Sequence, residues 1–333
     1  MEEVVMAINE NGISKAREML CDYVDEILQN ASKESFPGIS TGFRLLDDLT
    51  GSFENGKVYV IGGRPAMGKE ELMLSMIRSI VLDSKMGVLL FVANHLKKDY
   101  MARLLSIHCD IPTSCIKSGL MEARAWDKVD TLTNAPLLVS GGLSLKLNEL
   151  TEKARDCIRE KGVRIVFVDS LQMIDFDSEG TCFSERLANV MYALKDLARQ
   201  MNVPVVVGSM LGRGIEYREG LECKRPQLED LANSSYIEEF ADVVMMVHRP
   251  EYYHIYQDDQ GRDLHGLMYI LIQKNALRPL GELTFLYRQD TGAVSQPEEA
   301  GALRSWRLEE LKANNEAVES LINALNLEEE TPF

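Results

Sequence analysis

Gly63, Gly68 and Lys69 carry the first chemistry legible in this chain. They lie in the stretch Gly62–Glu71 (GGRPAMGKEE) and fit a GxxxxGK frame, with Arg64, Pro65, Ala66 and Met67 between the glycines. Small residues in this frame let successive backbone N–H groups close around phosphate oxygens, and the lysine reaches the outer phosphates. An apolar run before the loop and a helical stretch after it supply the strand–loop–helix setting that phosphate binding needs. The next position should carry a Ser or Thr hydroxyl for Mg²⁺. It holds Glu70, followed by Glu71. Two like charges about 4 Å apart cost roughly 4 kcal/mol at an effective dielectric near 20, so a carboxylate there opposes a bound triphosphate. In the alternative, Glu70 turns outward or pairs with Lys69, and the loop needs no nucleotide. A second carboxylate, Asp169, ends the apolar run VRIVFVD; an Asp at a strand's carboxyl end can hold a magnesium shell.

These groups need elements to position them. Short apolar runs recur at Val58–Gly63, Val88–Asn94, Pro136–Ser140, Val163–Asp169, Val203–Ser209, Ala241–His248, Met268–Lys274 and Leu283–Tyr287. Several are almost continuously Val, Leu or Ile, as in strands buried on both faces, and helical stretches separate them. The pattern predicts an α/β fold with a mostly parallel, helix-covered sheet. The last two runs have no long helix between them and predict an edge hairpin. Ile13, Ala16, Leu20, Val24, Ile27 and Ala31 mark one face of an N-terminal helix. Ser35–Gly42 (SFPGISTG) reads as a linker because Pro and Gly break regular structure. Residues 301–326 read as a polar helix with a sparse apolar stripe.

Composition narrows the function. The 333 residues include 45% apolar types, enough for a large core. No apolar run is long enough to span a membrane, and the N-terminus lacks the pattern of a secretory signal. The six cysteines form no CxxC pair, which predicts reduced thiols in a cytoplasm rather than zinc. A formal net charge of −16 argues against strong DNA affinity by the monomer, since phosphate contacts dominate such binding.

Taken together, the motifs resemble the DnaB family of ring-shaped replicative helicases, from about Gly38 to Ser295. The resemblance rests on GISTGFRLLDDLTGSFENGKVYVIGGRPAMGK, VDSLQMI, ALKDLARQMNVPVVVGSMLGRGIEYR, KRPQLEDLANSSYIEEFADVVMMVHRPEYY and QKNALRPLG, in family order. It implies a RecA-like P-loop domain at 36–297, a linker-type helix within 1–35, and a C-terminal helix and acidic tail at 298–333. It also implies ATP and Mg²⁺ as cofactors, with Asp169 toward the metal. Assembly would be a ring, hexameric in the family, with copies of itself or a related helicase subunit. It further implies single-stranded DNA as a partner, one that the net charge would make weak. The helix within 13–31 would dock on a neighbour; packing on its own domain is the alternative. The family's N-terminal, primase-contacting domain is expected to be missing.

The departures fall on chemistry. Asn94 stands at the catalytic Glu position, and an amide cannot accept a proton from water. Met210 replaces the sensor Gln. In the hairpin Lys274 is kept but Ala276 takes the Arg position, leaving Arg278 as the candidate finger substitute. Such a finger is worth about 10³–10⁵ in rate. In the DNA-facing loop, near Asn233 and Ser235, the phosphate-contacting Arg is Ala232. With Glu70, five replacements at five functional positions predict degenerate ATP hydrolysis and action through assembly or tethering. An active 5′-to-3′ helicase with displaced groups is the alternative; a RecA-like ATPase of another branch is disfavoured by Arg64–Met67. The terminal Glu328, Glu329, Glu330, Thr331, Pro332 and Phe333 resemble the acidic tips of bacterial single-stranded-DNA-binding proteins. They read either as an ordinary acidic end or as a docking peptide for a replication or repair protein. The five histidines read as surface or packing residues. Tyr252, Tyr253 and Tyr256 read as an exposed loop cluster, base stacking being the alternative.

Overall fold

The computed structural model describes residues 38–93, 97–120, 125–142, 145–175, 182–220, 222–231, 235–276 and 278–297. The expected helices at 13–31 and 301–326, Asn94, His95, Ala232, Asn233 and the tail Glu328, Glu329, Glu330, Pro332 and Phe333 lie outside the described residues. In chain order the elements are α1 (Arg44–Thr50), β1 (Val58–Gly63), α2 (Lys69–Leu82), β2 (Gly87–Ala93), α3 (Lys97–Cys109), α4 (Thr113–Ser118), α5 (Ala125–Thr133), β3 (Leu137–Gly142) and β4 (Leu145–Lys146). There follow α6 (Leu147–Lys161), β5 (Val163–Asp169), β6 (Ile174–Asp175), α7 (Phe183–Met201), β7 (Val205–Met210), α8 (Ser235–Phe240), β8 (Val243–His248), β9 (Leu267–Asn275), β10 (Gly281–Tyr287) and β11 (Val294–Ser295).

Nine strands form one sheet in the order β11-β10-β9-β8-β1-β7-β5-β2-β3. From β8 to β3 every neighbouring pair is parallel, whereas β9, β10 and β11 run antiparallel at one edge. The expected edge hairpin is β9–β10. Strands β1, β7, β5 and β2 are buried on both faces, which is why their sequences are continuously apolar rather than alternating. Their side chains divide by parity between two cores. Tyr59, Ile61, Leu90, Ile165 and Phe167 meet α2 and α3 on one face. Val58, Val60, Phe91, Val166 and Val168 meet α6 and α7 on the other. Helix α7 shows the matching helical period, burying Leu187, Val190, Met191, Leu194, Leu197 and Ala198.

Two boundaries depart from expectation. Strand β3 continues past its apolar run because Ser140, Gly141 and Gly142 pair with Phe91, Val92 and Ala93. The segment Gly38–Gly42 is packed domain rather than linker. Ile39 and Phe53 exchange backbone hydrogen bonds of 2.9 and 2.8 Å, and the Thr41 N–H donates to Asp47 Oδ1 at 2.9 Å. Burial raises the Asp47 carboxyl above its usual value. Gly38 sits at φ 128°, where a Cβ would stand 2.8 Å from the Phe53 carbonyl oxygen. Its glycine therefore answers a close backbone approach, not a flexible hinge.

The histidines and tyrosines also separate. His248 is fully buried on β8, with its ring 6.2 Å from Tyr269 and 5.9 Å from Tyr253. Tyr252 and Tyr253 pack against the core; of the three loop tyrosines, Tyr256 is the exposed one, stacked at 4.6 Å on His265. Among the described residues, no helix is long and apolar enough to cross a membrane.

Two predictions follow from this packing. Gly38→Ala should lower unfolding free energy by more than about 1 kcal/mol in urea titration, since both the φ and the space oppose a side chain; an unchanged midpoint would restore the linker reading. Burial, with Arg225 adding to it, pushes the His248 imidazole down to about 4 from 6.5. The stability it supplies is full above pH 6.5 and lost as pH falls toward 4, a drop of about 3 kcal/mol. Among the described residues, neither ring nitrogen has a hydrogen-bond partner. His248→Phe should therefore flatten this slope, and a variant that keeps the full drop would remove His248 as its cause.

Candidate functional site

The phosphate loop runs from the end of β1 into α2, at the carboxyl edge of the parallel strands. Ala66 and Gly68 take positive φ values of 61° and 100°. These are the turns that let the loop curl over the helix N-terminus, where backbone N–H groups face an anion. Gly68 has a second reason to be glycine: a Cβ would stand 2.4 Å from Met268 Cε of β9. The loop is further tied down from just past β8, where the Arg249 N–H donates to Met67 Sδ at 3.2 Å and its guanidinium to the Ala66 carbonyl at 3.4 Å. Arg249 also lies 3.8 Å from the centroid of the Tyr287 ring. Arg64 turns the other way and bonds Glu216 at 2.5 and 2.8 Å and the Leu211 carbonyl at 2.7 Å. Pro65 and Ala66 are exposed.

Lys69, first residue of α2, donates to Asp169 Oδ1 at the end of β5. Both are buried, at 7% and 3% exposure. They meet across β7, the strand between β1 and β5, at Gly208; a Cβ there would stand 2.5 Å from Asp169 Oδ1 and 2.9 Å from Lys69 Nζ. The second oxygen of Asp169 accepts the hydroxyl hydrogen of Tyr100 from α3. Burial, and then the Asp169 charge, raise the Tyr100 hydroxyl far above its usual value, so it stays a donor. Glu70 pairs neither with Lys69 nor outward alone: it is bound by Arg103 of α3, which also lies 3.8 Å from Glu71. Burial would lower Arg103, but Glu70 and Glu71 outweigh it and raise the guanidinium above its usual value. Burial, reinforced by Glu70, raises the Glu71 carboxyl.

Met210 is in register with Gly63, so it stands beside the phosphate loop. Its exposed side chain offers only a thioether. The polar work there falls to Gln172, which accepts the Met210 N–H at 3.0 Å and donates to Ser209 Oγ at 2.9 Å. Lys274 and Arg278 lie toward the far end of the sheet, because Asn275 pairs with Val243 at the start of β8. Lys274 donates to the Glu238 carbonyl at 2.6 Å, and Arg278 lies 3.7 Å from Glu54 and against Gly51. Ala276 is exposed at the turn. None of the three approaches this chain's own phosphate loop. Ser235 is exposed at the start of α8. Sequence reasoning missed Tyr100, Arg103, Gln172 and Arg249; only Arg249, directly after a strand, carried a positional signal.

The residues present fit a magnesium-bound triphosphate in one respect and fail in two. The backbone cradle and Lys69 suit phosphate. At the metal position, however, stands a carboxylate already paired with Arg103, and Asp169 is covered by Lys69 and Tyr100.

A mostly parallel, helix-covered sheet, with a glycine loop and lysine after one strand and a carboxylate after the strand two places away, defines a RecA-like P-loop domain. The family model for the DnaB-like helicase C terminal domain matches residues 38–295, and the chain belongs to that family. It is 33% identical over 217 residues to the replicative DNA helicase DnaB of Treponema pallidum (strain Nichols), covering 64% of this chain and 48% of that protein. With the corresponding helicase of Leifsonia xyli the identity is 31% over 235 residues, covering 69% and 51%. A solved structure of a DnaB-like replicative helicase, described with its interactions with primase, superposes with a TM-score of 0.77 at 25% identity. That match covers 85% of this chain and 69% of the other. The chain spans about half the length of these curated relatives.

The buried pair makes a direct prediction. Lys69→Met should cost about 3–5 kcal/mol of folding stability without any nucleotide, because it strands a buried carboxylate. Urea unfolding reads this; a variant as stable as the parent would show that the pair contributes nothing to folding.

Proposed function

We propose that this chain is a DnaB-type motor domain that keeps its fold for assembly and has degenerate Mg-ATP hydrolysis. The observation that carries the reading is Glu70 at the metal-ligand position, held by Arg103. The losses at Asn94, Met210 and Ala276 support it, since base, sensor and finger act together and their removal is not made good by the phosphate loop alone. The domain spans 36–297, between an N-terminal linker-type segment (1–35) and an acidic C-terminal segment (298–333). Its partners would be copies of itself or a related helicase subunit in a ring, with the EEETPF end tethering a replication or repair protein in the cytoplasm. Within such a ring Lys274 and Arg278 would serve a neighbour's site rather than this chain's own, a reading supported by their distance from its phosphate loop. Single-stranded DNA is a weak ligand at most, given the net charge of −16.

A second reading, an active ATP-dependent 5′-to-3′ helicase, draws on the intact Gly63–Gly68–Lys69 frame facing Asp169. Turnover separates the two. The purified 333-residue chain with Mg-ATP should release phosphate no faster than a protein-free control, with or without single-stranded DNA. DNA-stimulated turnover that Lys69→Ala abolishes would establish the helicase reading instead.

A further inference from the structure

Tyr100 and Arg103 sit one turn apart on α3 and face the phosphate loop together. The Tyr100 ring is 2% exposed, and its hydroxyl is bonded to Asp169. The Arg103 guanidinium lies 6.0 Å from that ring's centroid and is bound to Glu70, with Glu71 3.8 Å away. One helix face thus reaches both carboxylates that border a metal position in this fold.

We propose that Tyr100 and Arg103 form a built-in plug that closes the phosphate loop and excludes magnesium-bound triphosphate. The proposal rests on the reading that ATP handling is lost, and adds which side chains enforce it. Asp169 can help a hydrated cation only if a face of its carboxylate is open. At 3% exposure, between Lys69 and Tyr100, it has none. A triphosphate entering the loop would draw Lys69 away and leave Asp169 bonded to Tyr100 alone, with Glu70 set against the incoming charge. The internal ion pairs neutralise Lys69 and Arg103, the cations that would otherwise attract that charge. The loop is therefore satisfied without ligand, and the ligand would have to break two partnerships in order to bind.

The plug should be removable. Glu70→Ser places a hydroxyl at the metal position and leaves Arg103 beside Glu71. Tyr100→Phe keeps the buried ring and frees one oxygen of Asp169. Thermal melting of the full chain, with Mg-ATP and with ATP plus chelator, reads the result. The parent should shift by less than about 1 °C, while the double variant should rise by about 3–5 °C only when magnesium is present. Glu70→Ser alone, which leaves the buried ring untouched, should show the same shift at smaller amplitude, so a poorly folded double variant does not decide the matter. If the parent is inert and both variants stay inert, the plug is overturned while the lost-hydrolysis reading stands. If the parent itself shows a magnesium-dependent rise, both are overturned.

Discussion

The contact between Lys69 and Asp169 is the constraint around which the site is built. The two residues begin α2 and end β5, and the sheet order puts β7 between their strands. They can meet only because Gly208 of β7 has no side chain. The contact joins the two halves of the phosphate site through the central strands. Its burial makes it unforgiving: two charges withdrawn from water hold together only while each keeps its partner and the remaining lone pairs are satisfied. Tyr100 supplies that further satisfaction.

The second layer is charge compensation around the acidic pair Glu70 and Glu71. Two carboxylates in the first turn of α2 are favoured by the helix dipole, but they repel one another and any phosphate in the loop above. Arg103 answers both. Arg249, pressed on Tyr287 and 3.5 Å from Glu251, braces the loop from the residue after β8. Lys69 and Arg103, the cations beside the loop, each face a carboxylate of this chain.

Much of this was legible from residue order. Strands buried on both faces need continuous apolar runs, so β1, β5, β7 and β8 are visible in the sequence to within two residues. The GxxxxGK frame is legible because loop curvature demands glycine at fixed spacing, and Gly68 indeed sits where only a positive φ serves. Gly38 misled for the same reason: a glycine demanded by close packing against Phe53 looks identical in sequence to one supplying flexibility. The far end of β3 was hidden because Gly141 and Gly142 are strand only through their ladder with β2.

The sequence by itself determined the α/β class, the phosphate loop, its carboxylate partner Asp169 and the carboxylate that follows Lys69 at position 70. These follow from local chemistry: side-chain type, backbone freedom and spacing along one chain. Tertiary structure alone decided what those groups touch. That Asp169 is covered by Tyr100, that Glu70 is held by Arg103 rather than by Lys69, and that Arg278 turns onto Gly51 are contacts across the sheet or between separate helices. Crossover connections set them, and no periodicity or motif encodes which face of α3 will look down on the ends of β1 and β5.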